Sequence, residues 1–508
     1  MTSGEGMSDD RLKELVVVGG GSAGWMTAAA LASLLSEQDV NITLVESEQI
    51  GTVGVGEATI PDMARFNKLL GIPEADFMKA TDATFKLGIE FVNWGRIGER
   101  YFHPFGELGA DMNGIDFHQF WMADRDNGSN LPIEAYSLCH LAAEQDKFIH
   151  PSTKANSVLA LMGYAYHFDA TRYAAHLRDY SERRGVKRVE GIVETVGQDA
   201  ETGDISSLTL QSGETVAGDF FFDCTGFRAL LMRQTLEVPF VDWSHWLPCN
   251  AAQTVASELP GSLPSYTRAT AHEAGWQWRI PTQSRLGNGH VYSTDFTDDE
   301  TARERLLEHI DTPLLGEPRQ LRFTTGHLDT FWQGNCIGIG LSSGFLEPLE
   351  STSLYLIQSG ISKFISLYPT TRIPDVMRFE YNRQMKEEFA QIRDFLILHY
   401  RVTERDDSAF WNYVRTMEIP DSLTHKMELF REGGRIFRYE NELFSKPSWV
   451  AVMLGQNMIP ETTDPFVTGL PPGAVRRSLT SMRGAMERAV TQMPAHSDYL
   501  ANFTAAAP

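Results

Sequence analysis

Runs of apolar residues, and the spacing of polar ones between them, predict the elements of this chain in order. Leu15-Val-Val-Val18 is a continuous apolar run of strand length, followed by Gly19-Gly-Gly-Ser-Ala-Gly24 and by a helical pattern over 25–35. Ile42-Thr-Leu-Val-Glu46 reads as a second strand, ending in an acid. Residues 60–81 carry a helical pattern and 84–94 a strand pattern rich in aromatics. Apolar positions at 168–178 again fit an amphipathic helix. Strands follow near 187–195 and 205–210, and Phe220-Phe-Phe-Asp-Cys-Thr-Gly226 reads as a buried strand that ends in a turn. The apolar run 336–341 leads through a loop of small residues into a helix over 354–367. Ser351, Thr352 and Ser353 stand at its start as candidate capping hydroxyls. Beyond it the pattern stays mainly helical to about residue 490.

The first three elements form a dinucleotide-binding unit: strand, glycine loop, helix, strand, acid. Gly19 suits the tight turn, Gly21 the close approach of backbone to a pyrophosphate, and Gly24 close packing of helix on strand. Ser22, Ala23 and Trp25 open the helix whose N–H groups would face the phosphates. Glu46 is placed to accept hydrogen bonds from a ribose. Gly54-Val-Gly-Glu-Ala-Thr59 is a second glycine run expected alongside the cofactor. The nucleotide fold returns at 219–226 and 335–354, so three distant segments meet one cofactor. That suits FAD better than a nicotinamide dinucleotide held by one contiguous domain. The absence of a second glycine-rich unit points to FADH2 delivered by a separate NAD(P)H-dependent flavin reductase.

A chain of 508 residues with 42% hydrophobic and 22% charged content has the composition of a globular protein with a large core. Its formal net charge of −23 argues against nucleic acid, and no apolar run reaches the length of a membrane span. Cys139, Cys224, Cys249 and Cys336 lack metal-ligand spacing, so no metal is expected and free thiols in the cytoplasm are.

Four stretches in the expected order then give the chain a resemblance to the flavin-dependent halogenases, the group typified by the tryptophan halogenases. They are Gly19-Gly-Gly-Ser-Ala-Gly-Trp25, Phe85-Lys86 before Phe91-Val-Asn-Trp94, Trp276-Gln-Trp-Arg-Ile-Pro281, and Gly344-Phe-Leu-Glu-Pro-Leu-Glu-Ser-Thr352. The third discriminates, because related flavin monooxygenases share the glycine loop but lack it. The resemblance implies that reduced FAD, O2 and chloride or bromide yield hypohalous acid, with the halide near Thr352 and Ser353. Trp276, Trp278, Ile280 and Pro281 would keep organic substrate away from the flavin, and the oxidant would travel past them to Lys86. Lys86 would present it by hydrogen bonding or as a haloamine, and Glu350 would stabilise the cationic ring. Ala58, Val193, Leu341 and Leu354 are further expected cofactor contacts. His103 and Phe105 match a histidine and a phenylalanine that flank the substrate ring.

The chain also departs from the tryptophan halogenases. The region 437–457 has no Tyr-Tyr pair of the kind that grips an amino-acid backbone, so an indole-type aromatic rather than free tryptophan is expected. The fold expected is α/β: a Rossmann-type, FAD-dependent monooxygenase-like module over 12–385, with substrate-side inserts at about 84–165 and 240–330. A helical C-terminal region spans 386–495, with flexible tails at 1–11 and 496–508. A homodimer is compatible with all of this, and aromatic hydroxylation by a flavin monooxygenase is the alternative activity.

Overall fold

The apolar run Leu15–Val18 is buried throughout, on the strand Glu14–Val18 that lies between two parallel partners, Asn41–Glu46 and Phe220–Asp223. The computed structural model describes residues 11–50 and 57–505. Of the second glycine run, Gly54, Val55 and Gly56 therefore lie outside the described residues, as do residues 1–10 and 506–508 of the two tails. Cys336–Gly338 extends the sheet beyond Phe220–Asp223, with Trp332–Gln333 as its antiparallel edge, and Lys187–Glu190 extends it on the other side. Val18 stands in register with Asp223, and Asp223 with Gly338. The carboxyl ends of three strands far apart in sequence thus sit side by side, the place where open α/β sheets bind ligands.

The helix Ser22–Leu34 is buried from Gly24 to Ala32, and its small residues let it lie close to the sheet. A Cβ on Gly24 would stand 1.8 Å from the Gly19 carbonyl oxygen. Gly19 has φ +113°, and a Cβ there would meet the Cys224 carbonyl oxygen at 2.2 Å. Both glycines are required by close backbone approach.

A second, seven-stranded sheet carries Gly275–Pro281 near its middle and Gly88–Val92 and Arg100–Pro104 at one edge. A small sheet joins Glu57–Ala58, Ala165–Phe168 and Thr84–Lys86. Helices then dominate, beginning with Ser353–Ser366 and the 27-residue Asp375–Arg401. No helix among the described residues is long and apolar enough to cross a membrane, and the four cysteines are buried free thiols.

Several elements differ from expectation for local reasons. The helical run over 60–81 is two helices, Asp62–Leu69 and Glu74–Ala80, divided where Gly71 adopts φ +69° and Pro73 cannot continue a helix. The strand over 84–94 is also two, Thr84–Lys86 and Gly88–Val92, in different sheets. The break falls at Leu87, whose N–H goes instead to the Ser265 carbonyl. The strand near 187–195 divides into Lys187–Glu190 and Val193–Gln198. The expected tail at 496–508 is an ordered helix over His496–Ala505, with His496 and Leu500 buried. His496 Nε2 accepts the Phe85 N–H, a donor on the open edge of the Lys86 strand.

Candidate active site

The cofactor cleft is built at the sheet's carboxyl edge. The helix Ser22–Leu34 starts without a side-chain cap and without an acid in its first turn, so its first N–H groups remain available to a phosphate. Glu46 ends its strand against the glycine loop, and Arg188 Nε lies 2.6 Å from its carboxylate. Leu341 sits in the turn Gly340–Ser342, where Gly340 abuts Ala23 of the glycine loop. Ser342 Oγ is bonded to the Asp223 carbonyl, tying the second and third segments together. Ala58 and Leu354 are buried, on the small sheet and on the first turn of Ser353–Ser366. Val193 begins the strand just after Gly191, whose N–H bonds the Glu46 carbonyl. The uncapped helix and a loop kept free of Cβ atoms suit the pyrophosphate of FAD.

The expected capping hydroxyls do not cap. Ser353–Ser366 begins after Thr352, which makes no side-chain cap bond, and Thr352 Oγ1 is buried without a partner. Ser351 is in the left-handed region at φ 60°, and its hydroxyl accepts a hydrogen bond from Lys86 instead. The result is a 14-residue helix whose N-terminus carries an unsatisfied hydroxyl and free N–H groups. Such a terminus suits an anion.

Trp276, Trp278 and Ile280 point to one face of Gly275–Pro281, as alternation requires, and all three are buried. Trp276 lies 6.0 Å from Trp278 and 6.4 Å from Trp94, ring to ring. Its Nε1 donates to Glu347 Oε2 at 3.1 Å, and Tyr400 OH donates to the same oxygen at 2.6 Å. Burial raises Glu347 to about 7 against those two bonds, and its other oxygen is without a partner. At the far end of the strand the Pro281 carbonyl accepts from Thr84 Oγ1, two residues before Lys86.

Lys86 and Glu350 are each fully buried, with no exposed surface. Lys86 Nζ donates to the Thr59 carbonyl and to Ser351 Oγ, both at 3.0 Å, and lies 4.9 Å from the centre of the Phe105 ring. Burial lowers Lys86 to about 7, opposed by the charge of Glu350. Burial would raise Glu350, but the charge and hydrogen bond of His103, then those of His399, hold it at about 2. His103 Nδ1 is 2.9 Å from Glu350 Oε2, and His399 Nε2 is 2.8 Å from Oε1.

Burying this lysine costs stability in a pH-dependent way. Between about 7 and the ordinary 10.5, the unfolded chain holds a proton that the folded one lacks, so stability rises with pH by roughly 1.4 kcal/mol per unit. Lys86→Met is expected to melt above the wild type at pH 7, with the gap closing as pH rises toward 10.5. Thermal melts across that window measure it, and a variant that melts lower at pH 7 would contradict it.

His103 is packed among aromatic rings. Phe105, Phe395 and Phe444 stand 6.3, 5.7 and 6.3 Å from its ring, and Phe395 stacks on Phe444 at 3.8 Å. Trp449 closes edge-on against Phe395 at 4.9 Å. The cation near this wall, Lys426, is paired with Glu442 and seated 4.0 Å over Trp449. His399, Tyr400, Phe395 and Glu347 were not singled out by the sequence, and Ser351 only as a capping hydroxyl. The helical pattern around 394–400 was legible, but nothing in it marks the face that meets Glu350.

A protein-family model described as tryptophan halogenase matches residues 14–472. A flavin-dependent halogenase from Xanthomonas campestris has a structure that superposes with a TM-score of 0.94 at 46% identity, covering 97% of this chain and 98% of its own. The flavin-dependent halogenase BrvH from a Brevundimonas species does so at 0.94 and 42%, covering 97% and 100%. The tryptophan 6-halogenase SttH of Streptomyces toxytricini is 35% identical over 523 residues, covering 96% of this chain and 98% of its own.

Proposed function

We propose the following reading from the premise that the chain belongs to the tryptophan halogenase family and is a flavin-dependent halogenase. Bound as FADH2, and given O2 and a halide, the cofactor supplies hypohalous acid. Gly19, Gly21, Ser22, Ala23, Gly24, Trp25 and Glu46 would hold its phosphates and ribose, and Ala58, Val193, Leu341 and Leu354 would line it. The halide would rest on the Ser353 N–H and the unpartnered Thr352 hydroxyl.

Trp276, Trp278, Ile280 and Pro281 keep the aromatic substrate from the flavin. Lys86 then presents the oxidant: as an ammonium it donates a hydrogen bond, as an amine it forms a haloamine. With Lys86 near 7 both forms are populated at neutral pH. Glu350 stabilises the cationic ring formed when the halogen adds. The observation that carries this division is the single buried cluster in which Ser351 joins Lys86 to Glu350's turn.

The substrate proposed is an indole-type ring that lacks an amino-acid backbone. Flat aromatic faces surround His103, and Lys426, the cation nearest Trp449, is committed to Glu442. A separate flavin reductase would provide the FADH2. Purified protein supplied with FAD, such a reductase, O2, bromide or chloride and indole is expected to give haloindole, read by mass spectrometry. Hydroxyindole alone, across a panel of aromatics and both halides, would overturn the proposal.

A further inference from the structure

Halogenation leaves a proton on the ring that some group must take, and the hydrogen bonds around Glu350 restrict which one. His103 Nδ1 lies 3.0 Å from Glu350 Oε1 and 2.9 Å from Oε2. Carboxylate oxygens only accept, so Nδ1 carries a hydrogen, and in the neutral form of the ring Nε2 holds a lone pair. His399 Nδ1 faces the Phe395 carbonyl at 2.8 Å, which also only accepts. A second hydrogen therefore lies between His399 Nε2 and Glu350 Oε1, 2.8 Å apart. Both carboxylate oxygens are thus already occupied by ring nitrogens. A carboxylate so placed stabilises positive charge well but is a weak base.

We propose that His103 is the catalytic base: the proton on the halogenated carbon leaves to His103 Nε2, while Glu350 holds the resulting imidazolium through Nδ1. His399 acts through Glu350 as a positioning residue. The arrangement is that of a carboxylate-backed imidazole, which becomes a useful base because its second nitrogen is already oriented and its charge already compensated. Nε2 is the ring nitrogen that Glu350 does not engage, and Phe105, Phe395 and Phe444 stand within 6.3 Å of the ring.

The step balances for the ammonium form of Lys86. The carbon–halogen bond forms as the halogen–oxygen bond of hypohalous acid breaks, and Lys86 protonates the departing hydroxide to water. The ring carbon–hydrogen bond then breaks, its electron pair restores aromaticity, and His103 takes the proton. One proton has moved from Lys86 to His103, and its return resets the site.

This assignment rests on the halogenase reading, and the test separates the two. Indole and indole deuterated at the carbon that the wild type halogenates are compared in the wild type and in His103→Gln. Glutamine can still donate to Glu350 but cannot accept a ring proton. The wild type is expected to halogenate both at one rate, and H103Q to slow by a factor on the order of 10² with a primary isotope effect. A slowed H103Q without an isotope effect, or a loss confined to KM, would leave His103 a mere flank of the ring and overturn the assignment. Should H103Q fail to bind FAD, His103→Ala decides: added imidazole restores turnover if His103 is the base and leaves it unchanged if it is not. A wild type that makes no haloindole would instead refute the substrate reading above.

Discussion

Replacing Lys86 with alanine is expected to abolish haloindole formation, while the variant should still purify with FAD bound. The lysine sits on the strand Thr84–Lys86, remote in the chain from the glycine loop and the helix that would hold the phosphates. Its removal deletes two hydrogen bonds, to the Thr59 carbonyl and to Ser351 Oγ, and the only group proposed to hand the oxidant to the ring. Flavin absorbance and product mass spectra from one preparation read both halves. Haloindole at a wild-type rate in Lys86→Ala would remove the lysine from the mechanism.

Glu350→Gln is expected to slow turnover by a factor on the order of 10², the scale seen when one group stabilising transition-state charge is lost. Glutamine is close in shape, so the change removes charge and leaves the space filled. It also turns an amide NH2 toward His103 Nδ1 or His399 Nε2, each of which now meets an acceptor. In its proposed role the carboxylate acts only once the ring is cationic, so kcat should fall with little change in KM. His103 and His399 hold the carboxylate near 2, so the wild type keeps this charge at neutral pH. Steady-state kinetics on indole test the point, and a wild-type kcat in the glutamine variant would refute the role.

The parts of this molecule that local rules govern were readable from the sequence. Strand, glycine loop, helix, strand and acid appear in the fold as the pattern over 15–46 predicts. Recognising Trp276 and Glu350 depended on the resemblance as well as on their spacing. What was missed depends on tertiary choice. Ser351 and Thr352 follow the rule for caps, but Ser351 serves Lys86 and Thr352 is left unpartnered. The run 84–94 has unbroken strand composition, so nothing local announces that the chain changes sheets at Leu87. In Asp375–Arg401 every residue from Asp394 to Tyr400 is buried, so no polar stripe singles out His399. The last helix is short and is ordered by contacts such as that between His496 and Phe85.

The proposed mechanism would make the oxidant in one compartment and use it in another, across a wall whose Trp276 is hydrogen-bonded to Glu347. Its most direct test is to run Lys86→Ala with reduced FAD, O2 and bromide in the presence of a soluble scavenger that records free hypohalous acid. Oxidised bromine reaching the scavenger, with no haloindole formed, is the expected result. Haloindole from that variant, or no oxidised bromine despite bound FAD, would contradict the separation of the two steps.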